Sequence, residues 1–517
     1  MVGMKTPTLL AAGALALVAA LAAAPAAQAA EQRPGLKACR LPGVEHEAWC
    51  GVLRRPLDPQ KPDGVQFDLH YAVLPALARN RKPDPVLFFA GGPGQSAIEL
   101  AGPVSRMTAR LGNRRDVVLV DQRGTGRSAP LRCAEELPTR PLAETASNEA
   151  FLARIQACRT ALQKLPHGDL RFYTTTIAMQ DADAVRQALG AAQVNLVGGS
   201  YGTRAALEYQ RQFPAAVRRS VIDGVAPPDM VLPASFSTDN QAALDAVLAA
   251  CEAEAACRGR YPRLREDWHA LLAGLPRTVD VQHPVTGQTE RIRISRDTVL
   301  NLARGPLYAP MLAAALPAAI TAAAQGRFEA LLGLSVALFS NRNGAMAEGM
   351  HFSVVCAEDG PRIAQSKDAP GADYGDSFAR TYQQVCADWP RGEVPPAFYT
   401  LPASRTPVLL LSGGADPVTP PRHAARVAQA LGPHARHVVV PQAGHGVMGI
   451  GCMRDVVFRF IDAPTDAEAL KVDADCARAL PRPPAFLPVS AAAAIPTAPA
   501  ASAAPVASAP PVQGSPK

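Results

Sequence analysis

A series of short apolar runs, each stopped by glycine or another turn-prone residue, constrains the fold of this chain more than any other feature. Phe67 to Leu74 opens the series. Pro85-Val-Leu-Phe-Phe-Ala90 stops at Gly91-Gly-Pro-Gly94, and Asp116-Val-Val-Leu-Val-Asp121 stops at Gln-Arg-Gly-Thr-Gly-Arg-Ser128. Val194-Asn-Leu-Val-Gly198 runs into Gly199-Ser200-Tyr201-Gly202. Ser220 to Asp223, Pro407 to Ser412 and His437 to Pro441 follow. Runs of this length, apolar on both faces and separated by helical patterns, predict an α/β fold with a mostly parallel sheet flanked by helices. Ligands of such sheets bind beyond the carboxyl ends of the strands, so chemistry is sought in the segments that stop the runs.

The rhythm lapses between Pro227 and Thr400. That segment is rich in Ala and Leu with a helical pattern, as in Asn240 to Ala250 and Met311 to Ala324, and the strand pattern resumes at Thr406. The expectation is a core of residues 30–227 and 401–485, interrupted by an inserted, mainly helical cap or lid at 228–400. From residue 486 to Lys517 the chain is Ala, Pro and Ser with almost no charge, which predicts a disordered tail.

The first 29 residues read as a signal peptide. Lys5 supplies the positive end, Leu9 to Ala23 the apolar stretch, and Ala27-Gln28-Ala29 the small residues of a cleavage site. No later stretch of about 18 apolar residues lacks charge or proline, so stable membrane insertion after cleavage is not expected. Export fits the cysteines, ten in number and all beyond residue 29. They form neighbours in sequence: Cys39 with Cys50, Cys133 with Cys158, Cys251 with Cys257, Cys356 with Cys386, Cys452 with Cys476. Disulfides in that order are the expectation, although spacing alone leaves the connectivity open. No Cys-x-x-Cys or His-x-x-x-His pattern points to a metal. The net charge of +7 over 517 residues is not gathered into basic blocks, and no nucleic-acid motif is present. A periplasmic or extracellular protein is expected, of undetermined oligomeric state.

Gly198-Gly-Ser-Tyr-Gly202 matches Gly-x-Ser-x-Gly. A nucleophile held on a sharp strand-to-helix turn needs neighbours without side chains, because the backbone packs closely there. Ser200 is the expected nucleophile. A serine hydroxyl needs a base to take its proton, and that base needs an orienting acid. Asp416, in Gly413-Gly-Ala-Asp-Pro-Val-Thr419, and His445, in Gln442-Ala-Gly-His-Gly446, follow strand runs in the order Ser, Asp, His. Of the ten histidines, His434 and His437 flank a strand and His423 lies in a helical stretch, so these read as surface or packing residues. The oxyanion requires preorganised donors. The backbone N–H of Tyr201 is one, and Gly92 is the choice for the other, with Gly91 next. Gly124-Thr-Gly126 lacks the last glycine of a dinucleotide fingerprint, since Ala129 fills that place, so no cofactor is expected. The Asp121-Gln-Arg-Gly loop reads instead as a brace beneath the site.

Taken together, Phe89-Ala-Gly-Gly-Pro-Gly94, Asp121 to Ser128, Gly198 to Arg204 and the Asp416 and His445 loops resemble the prolyl iminopeptidase and tripeptidyl aminopeptidase branch of the α/β-hydrolases, over roughly residues 40 to 480. Ala90 departs from the histidine of many prolyl iminopeptidases, which turns the resemblance towards the secreted tripeptidyl members. The resemblance implies an α/β-hydrolase fold with a helical cap and removal of residues from a free peptide amino terminus. It also implies that Glu358 and Asp359, in Val355-Cys-Ala-Glu-Asp359, are candidate anchors for the substrate ammonium, against a plain helix-capping role. A carboxylesterase acting on small esters would use the same triad, so the motifs leave peptide and ester substrates open.

Overall fold

The computed structural model describes residues 35–134, 139–145, 147–339, 346–401 and 403–488. The expected signal peptide and residues 489–517 of the expected tail lie outside them. In chain order the strands are β1 (Lys37–Cys39), β2 (Ala48–Pro56), β3 (Gln66–Leu74), β4 (Val86–Phe89), β5 (Val117–Val120), β6 (Val194–Gly199), β7 (Val217–Asp223), β8 (Arg277–Gln282), β9 (Thr289–Ile294), β10 (Val408–Gly413) and β11 (Ala435–Val440). Nine of them make one sheet in the order β1-β2-β3-β5-β4-β6-β7-β10-β11. The pairs from β1 through β3 to β5 are antiparallel; every pair from β5 to β11 is parallel.

The parallel strands β4, β5 and β10 are almost wholly apolar because both of their faces are buried. Leu87 and Phe89 of β4, Leu196 of β6 and Leu410 of β10 enter the core on one side of the sheet. Val86, Phe88, Val197, Leu409 and Leu411 alternate into the core on the other. Each fully buried side chain of this kind contributes roughly 1.5–3 kcal/mol of transfer free energy. The strand order reverses around β4, so the crevice that a doubly wound sheet offers to ligands opens between the ends of β4 and β6. Gly91-Gly92 and Ser200 stand at those two ends, and the pairing of Phe89 with Gly198 sets them in register.

Between β7 and β10 the chain makes mostly helices, among them Ala234–Ala253, Arg296–Leu307, Glu348–Glu358 and Ser377–Ala387, with a separate apolar cluster around Trp268, Leu300 and Phe328. The segment is not purely helical, because β8 and β9 pair as an antiparallel hairpin within it. The continuous helix expected over 311–324 is two, Pro310–Ala313 and Leu316–Ala324, with Pro317 in the first turn of the second, where its missing N–H is tolerated. Phe486 is tied down, donating its N–H to Ala314 and accepting from the Tyr261 hydroxyl, so ordered chain continues past residue 485. Disulfides join Cys39 to Cys50, Cys133 to Cys158, Cys251 to Cys257, Cys356 to Cys386 and Cys452 to Cys476. Among the described residues no helix is long and apolar enough to cross a membrane.

Candidate active site

The turn that carries Ser200 is too tight for side chains on either flank. A Cβ on Gly198 would lie 2.3 Å from the Gly202 carbonyl oxygen, and one on Gly202 would lie 2.2 Å from that of Phe89. Ser200 has φ 56° and ψ −126°, a conformation that costs a non-glycine residue of order 1–3 kcal/mol and that its surroundings must impose. Its N–H donates to the carbonyl of Asp223 at the end of β7, 2.9 Å away. The Tyr201 N–H opens the helix Tyr201–Gln212 and therefore lacks an acceptor within it. Across from the elbow, a Cβ on Gly91 would stand 3.3 Å from the Ser200 Cβ, so the loop after β4 runs directly beside the serine. Gly92 follows with φ 109°.

Asp416 and His445 come from the turns after β10 and β11. The His445 Nδ1–H donates to Asp416 Oδ2 over 2.8 Å, which fixes the tautomer and leaves Nε2 as the free acceptor. Asp416 is held from its own loop as well. The N–H groups of Val418 and Thr419 donate to its Oδ1 at 2.9 Å, and the Thr419 hydroxyl donates to its Oδ2 at 2.7 Å. Burial would raise the Asp416 carboxyl, but the facing imidazole and these donors hold it below the usual carboxylate range. Burial likewise opposes charge on His445, yet the Asp416 carboxylate raises it above the ordinary imidazole value. His445 reaches towards the serine elbow: a Cβ on Gly224, the residue after Asp223, would be 3.2 Å from its Cε1. The turns bearing Ser200 and His445 thus meet at the end of β7.

That strand end holds a group that motif reading misses. Asp223 is 3% exposed, and its Oδ2 accepts the N–H groups of Val447 and Met448, both at 2.7 Å. It ties down the loop that follows His445. Its Oδ1 is buried without a hydrogen-bond partner, and burial pushes its carboxyl up to about 6. The only signal in the sequence is an acid ending an apolar run.

The Asp121 loop braces the site from below. Asp121 Oδ1 accepts from the Ser96 hydroxyl at 2.6 Å and from the Ile98 N–H at 3.0 Å, which fastens the segment following Gly91-Gly92. Arg123 is fully buried against Asp181 and the carbonyls of Leu57 and Phe172.

Glu358 and Asp359 are brought near the site, but not as open anchors. Both are fully buried behind the helix Tyr201–Gln212, where Arg204 donates to Asp359 at 2.8 and 3.2 Å and to Glu358 at 3.3 Å. The Thr175 N–H takes the other oxygen of Glu358, and the Leu232 N–H also donates to Asp359. All four carboxylate oxygens accept hydrogen bonds inside the protein, and neither side chain is exposed. Burial drives Glu358 up to about 7 despite Arg204.

The segment between β7 and β10 closes around the crevice. The Ala347 N–H donates to the Gly94 carbonyl, and His351 Nδ1 lies 3.2 Å from the Pro93 carbonyl, with its Nε2 2.8 Å from the Tyr382 hydroxyl. On the other side Tyr308 accepts the His445 N–H on its carbonyl, and its ring stands edge-on to the imidazole at 5.2 Å. Among the described residues no group of three or more His, Cys, Asp or Glu side chains could hold a metal ion.

A family model described as alpha/beta hydrolase fold matches residues 84–449. The serine protease Hip1 of Mycobacterium tuberculosis is 27% identical over 414 residues, covering 72% of this chain and 77% of that protein. The tripeptidyl aminopeptidase of Streptomyces lividans is 30% identical over 195 residues, 35% of each chain. Carboxylesterase B of Mycobacterium tuberculosis is 27% identical over 425 residues, 74% of this chain and 78% of that one.

Proposed function

Because this chain belongs to the alpha/beta hydrolase fold family, we propose that it is an exported serine hydrolase that cleaves peptides through an acyl-enzyme on Ser200, releasing residues or short peptides from free amino termini. The observation that carries the reading is the Asp416–His445 hydrogen bond at the strand ends beside the strained Ser200 elbow. Ser200 Oγ attacks the carbonyl carbon while His445 Nε2 takes its proton. The N–H groups of Tyr201 and Gly92 receive the oxyanion. The imidazolium, steadied by Asp416, then protonates the leaving amine, and a water activated by His445 releases the acyl group. The helical segment at 228–400 acts as a lid that selects what reaches Ser200.

The peptidase reading is supported by relatives named as a serine protease and a tripeptidyl aminopeptidase. Export is supported by the disulfides among the described residues. A second reading, a carboxylesterase with the same triad, is favoured by the relative of that name, which spans more of the chain than the aminopeptidase does. Aminoacyl and tripeptidyl chromogenic amides, their amino-blocked forms and p-nitrophenyl esters separate the two. Turnover of free-amine amides that vanishes on blocking is expected; turnover of esters alone would overturn the aminopeptidase. Ser200→Ala is expected to lower kcat by about 10³–10⁶-fold on every substrate. Full activity in that variant would end the assignment of Ser200.

A further inference from the structure

Among the described residues Arg304 has no counterion, and it is set one tyrosine away from His445. It lies on the helix Arg296–Leu307, partly buried. Its Nη2 donates to the Tyr308 hydroxyl at 3.0 Å, and Tyr308 is the residue whose ring and carbonyl both meet His445. Its guanidinium carbon stands 5.1 Å from the ring centre of Phe236, 5.0 Å from that of Phe378 and 5.8 Å from that of Tyr308. Nε is buried with no hydrogen-bond partner. No carboxylate among the described residues forms an ion pair with it. The ionisable groups that act on it are the phenols of Tyr308, Tyr382 and Tyr374, and it acts in turn on the imidazoles of His351 and His445.

Such a site is costly unless something completes it. A partly buried charge with no acidic partner and a buried, unbonded Nε is destabilising, and rings facing a guanidinium recover part of that cost. The fully buried arginines Arg123, Arg204 and Arg115 are matched with acids, Asp181, Glu358 with Asp359, and Asp84 in turn. Arg304 differs from them in place as well. Tyr308 connects it to the candidate base, and Tyr382, which faces it, is bonded through His351 to the loop after β4. Arg304 therefore stands on the lid side of the crevice, between the oxyanion loop and the imidazole.

Resting on the reading of Ser200 as nucleophile, we infer that Arg304 binds a carboxylate of the substrate and so selects acidic substrates for the triad. A guanidinium offers a planar fork of donors suited to a carboxylate. The anion would take the place that an aspartate or glutamate holds at the other buried arginines. The carboxylate has two possible sources on a peptide, an acidic side chain beside the cut or the free carboxyl terminus of a short peptide.

Two matched series test this: peptides with Glu or Gln on either side of the cut, and short alanine peptides with a free or an amidated carboxyl terminus. Wild type is expected to show a kcat/KM at least tenfold higher for the carboxylate member of one series, and the series that responds identifies the source. In Arg304→Gln that ratio should fall towards one, while Arg304→Lys keeps part of it. A role in packing alone would lower both members of a pair alike. If Arg304→Gln does not fold, as read from its thermal transition, inhibition of the wild type on a neutral substrate decides the matter. Glutarate should inhibit at concentrations at least tenfold below glutaramide, and equal inhibition overturns the proposal. So does a wild-type ratio near one in both series, or a ratio that survives Arg304→Gln. Wild type that turns over no amide or ester at all would overturn the serine hydrolase reading beneath it, whereas neutral turnover without discrimination overturns only the role of Arg304.

Discussion

Asp416 receives three hydrogen bonds from its own loop in addition to the one from His445, so replacing its charge need not move its side chain. Asp416→Asn is therefore expected to lower kcat by about 10³–10⁴-fold through a misoriented tautomer of His445, with little loss of thermal stability. The same pair sets the pH dependence. A base works only when neutral, and the Asp416 carboxylate holds His445 above the ordinary imidazole value against the effect of burial. Consequently kcat/KM should rise with pH through an apparent pKa above the model-peptide value of about 6.5, and a profile centred below it would contradict the pairing. Asp223 acts one step further out, by positioning. Asp223→Ala strands two N–H groups behind His445 and is expected to cut kcat about 10–100-fold with KM nearly unchanged, while Asp223→Asn, which keeps an acceptor oxygen, restores most of the loss. An equal fall in both variants would make the charge, not the tether, the relevant property. The proposed triad is legible in sequence because each member sits in a small-residue turn just after an apolar run. Asp223 and Arg304 are not, because what distinguishes them is a partner 224 residues along the chain or the lack of an acidic partner among the described residues.

The helix Tyr201–Gln212 is fastened to the helix Glu348–Glu358 by a buried cluster of one cation and two acids. Glu358 and Asp359 resemble exposed anchors in sequence, because adjacent acids at a helix end read alike whether solvated or buried; only the tertiary fold supplies Arg204. Removing the cation leaves two carboxylates in the interior, so Arg204→Met should destabilise the protein by about 3–5 kcal/mol in urea unfolding. Adding Glu358→Gln and Asp359→Asn to it should recover part of that loss. If Arg204→Met is as stable as wild type, the cluster does not hold the two helices together. Elements show the same division between what is local and what is not. The parallel strands β4, β5 and β10 are apolar on both faces and are read directly, whereas β8 and β9 carry a half-exposed alternation, Arg291-Ile-Arg-Ile294 in β9, embedded in a helix-rich segment. The period of two was present there, but the Ala/Leu composition around it outweighed it.

At the scale of the whole molecule, the parallel pairing of β7 with β10 rejoins the chain across the helical segment, and the buried acids gather near that junction. Asp223, pushed by burial up to about 6, and Glu358, pushed up to about 7, hold protons in the folded state that the unfolded chain would already have released. Where the folded state binds more protons, stability falls as pH rises. For Asp223 the window runs from about 4 to about 6, and for Glu358 from about 4.5 to about 7. At roughly 1.4 kcal/mol per unit, Asp223 alone is worth about 3 kcal/mol between the ends of its window. The raised His445 acts in the same direction at higher pH, since the stability it contributes when charged is lost as pH climbs through its folded value. The lowered Asp416 acts oppositely, but its contribution disappears only as pH falls below the ordinary aspartate range. His351, pushed by burial down to about 4, opposes them up to the ordinary imidazole value, so the expected outcome is a difference: between pH 5 and pH 8 the Tm of Glu358→Gln should fall less, or rise more, than that of wild type. An identical pH dependence of Tm in Glu358→Gln and wild type would mean that Glu358 titrates normally and that Arg204 fully compensates its burial. Because His445 must be neutral in the proposed role of base, activity is expected to increase over the same interval in which the contribution of Glu358 to stability declines. The two optima are set by different buried groups and should separate when Glu358 is replaced, with the pH profile of kcat/KM unmoved.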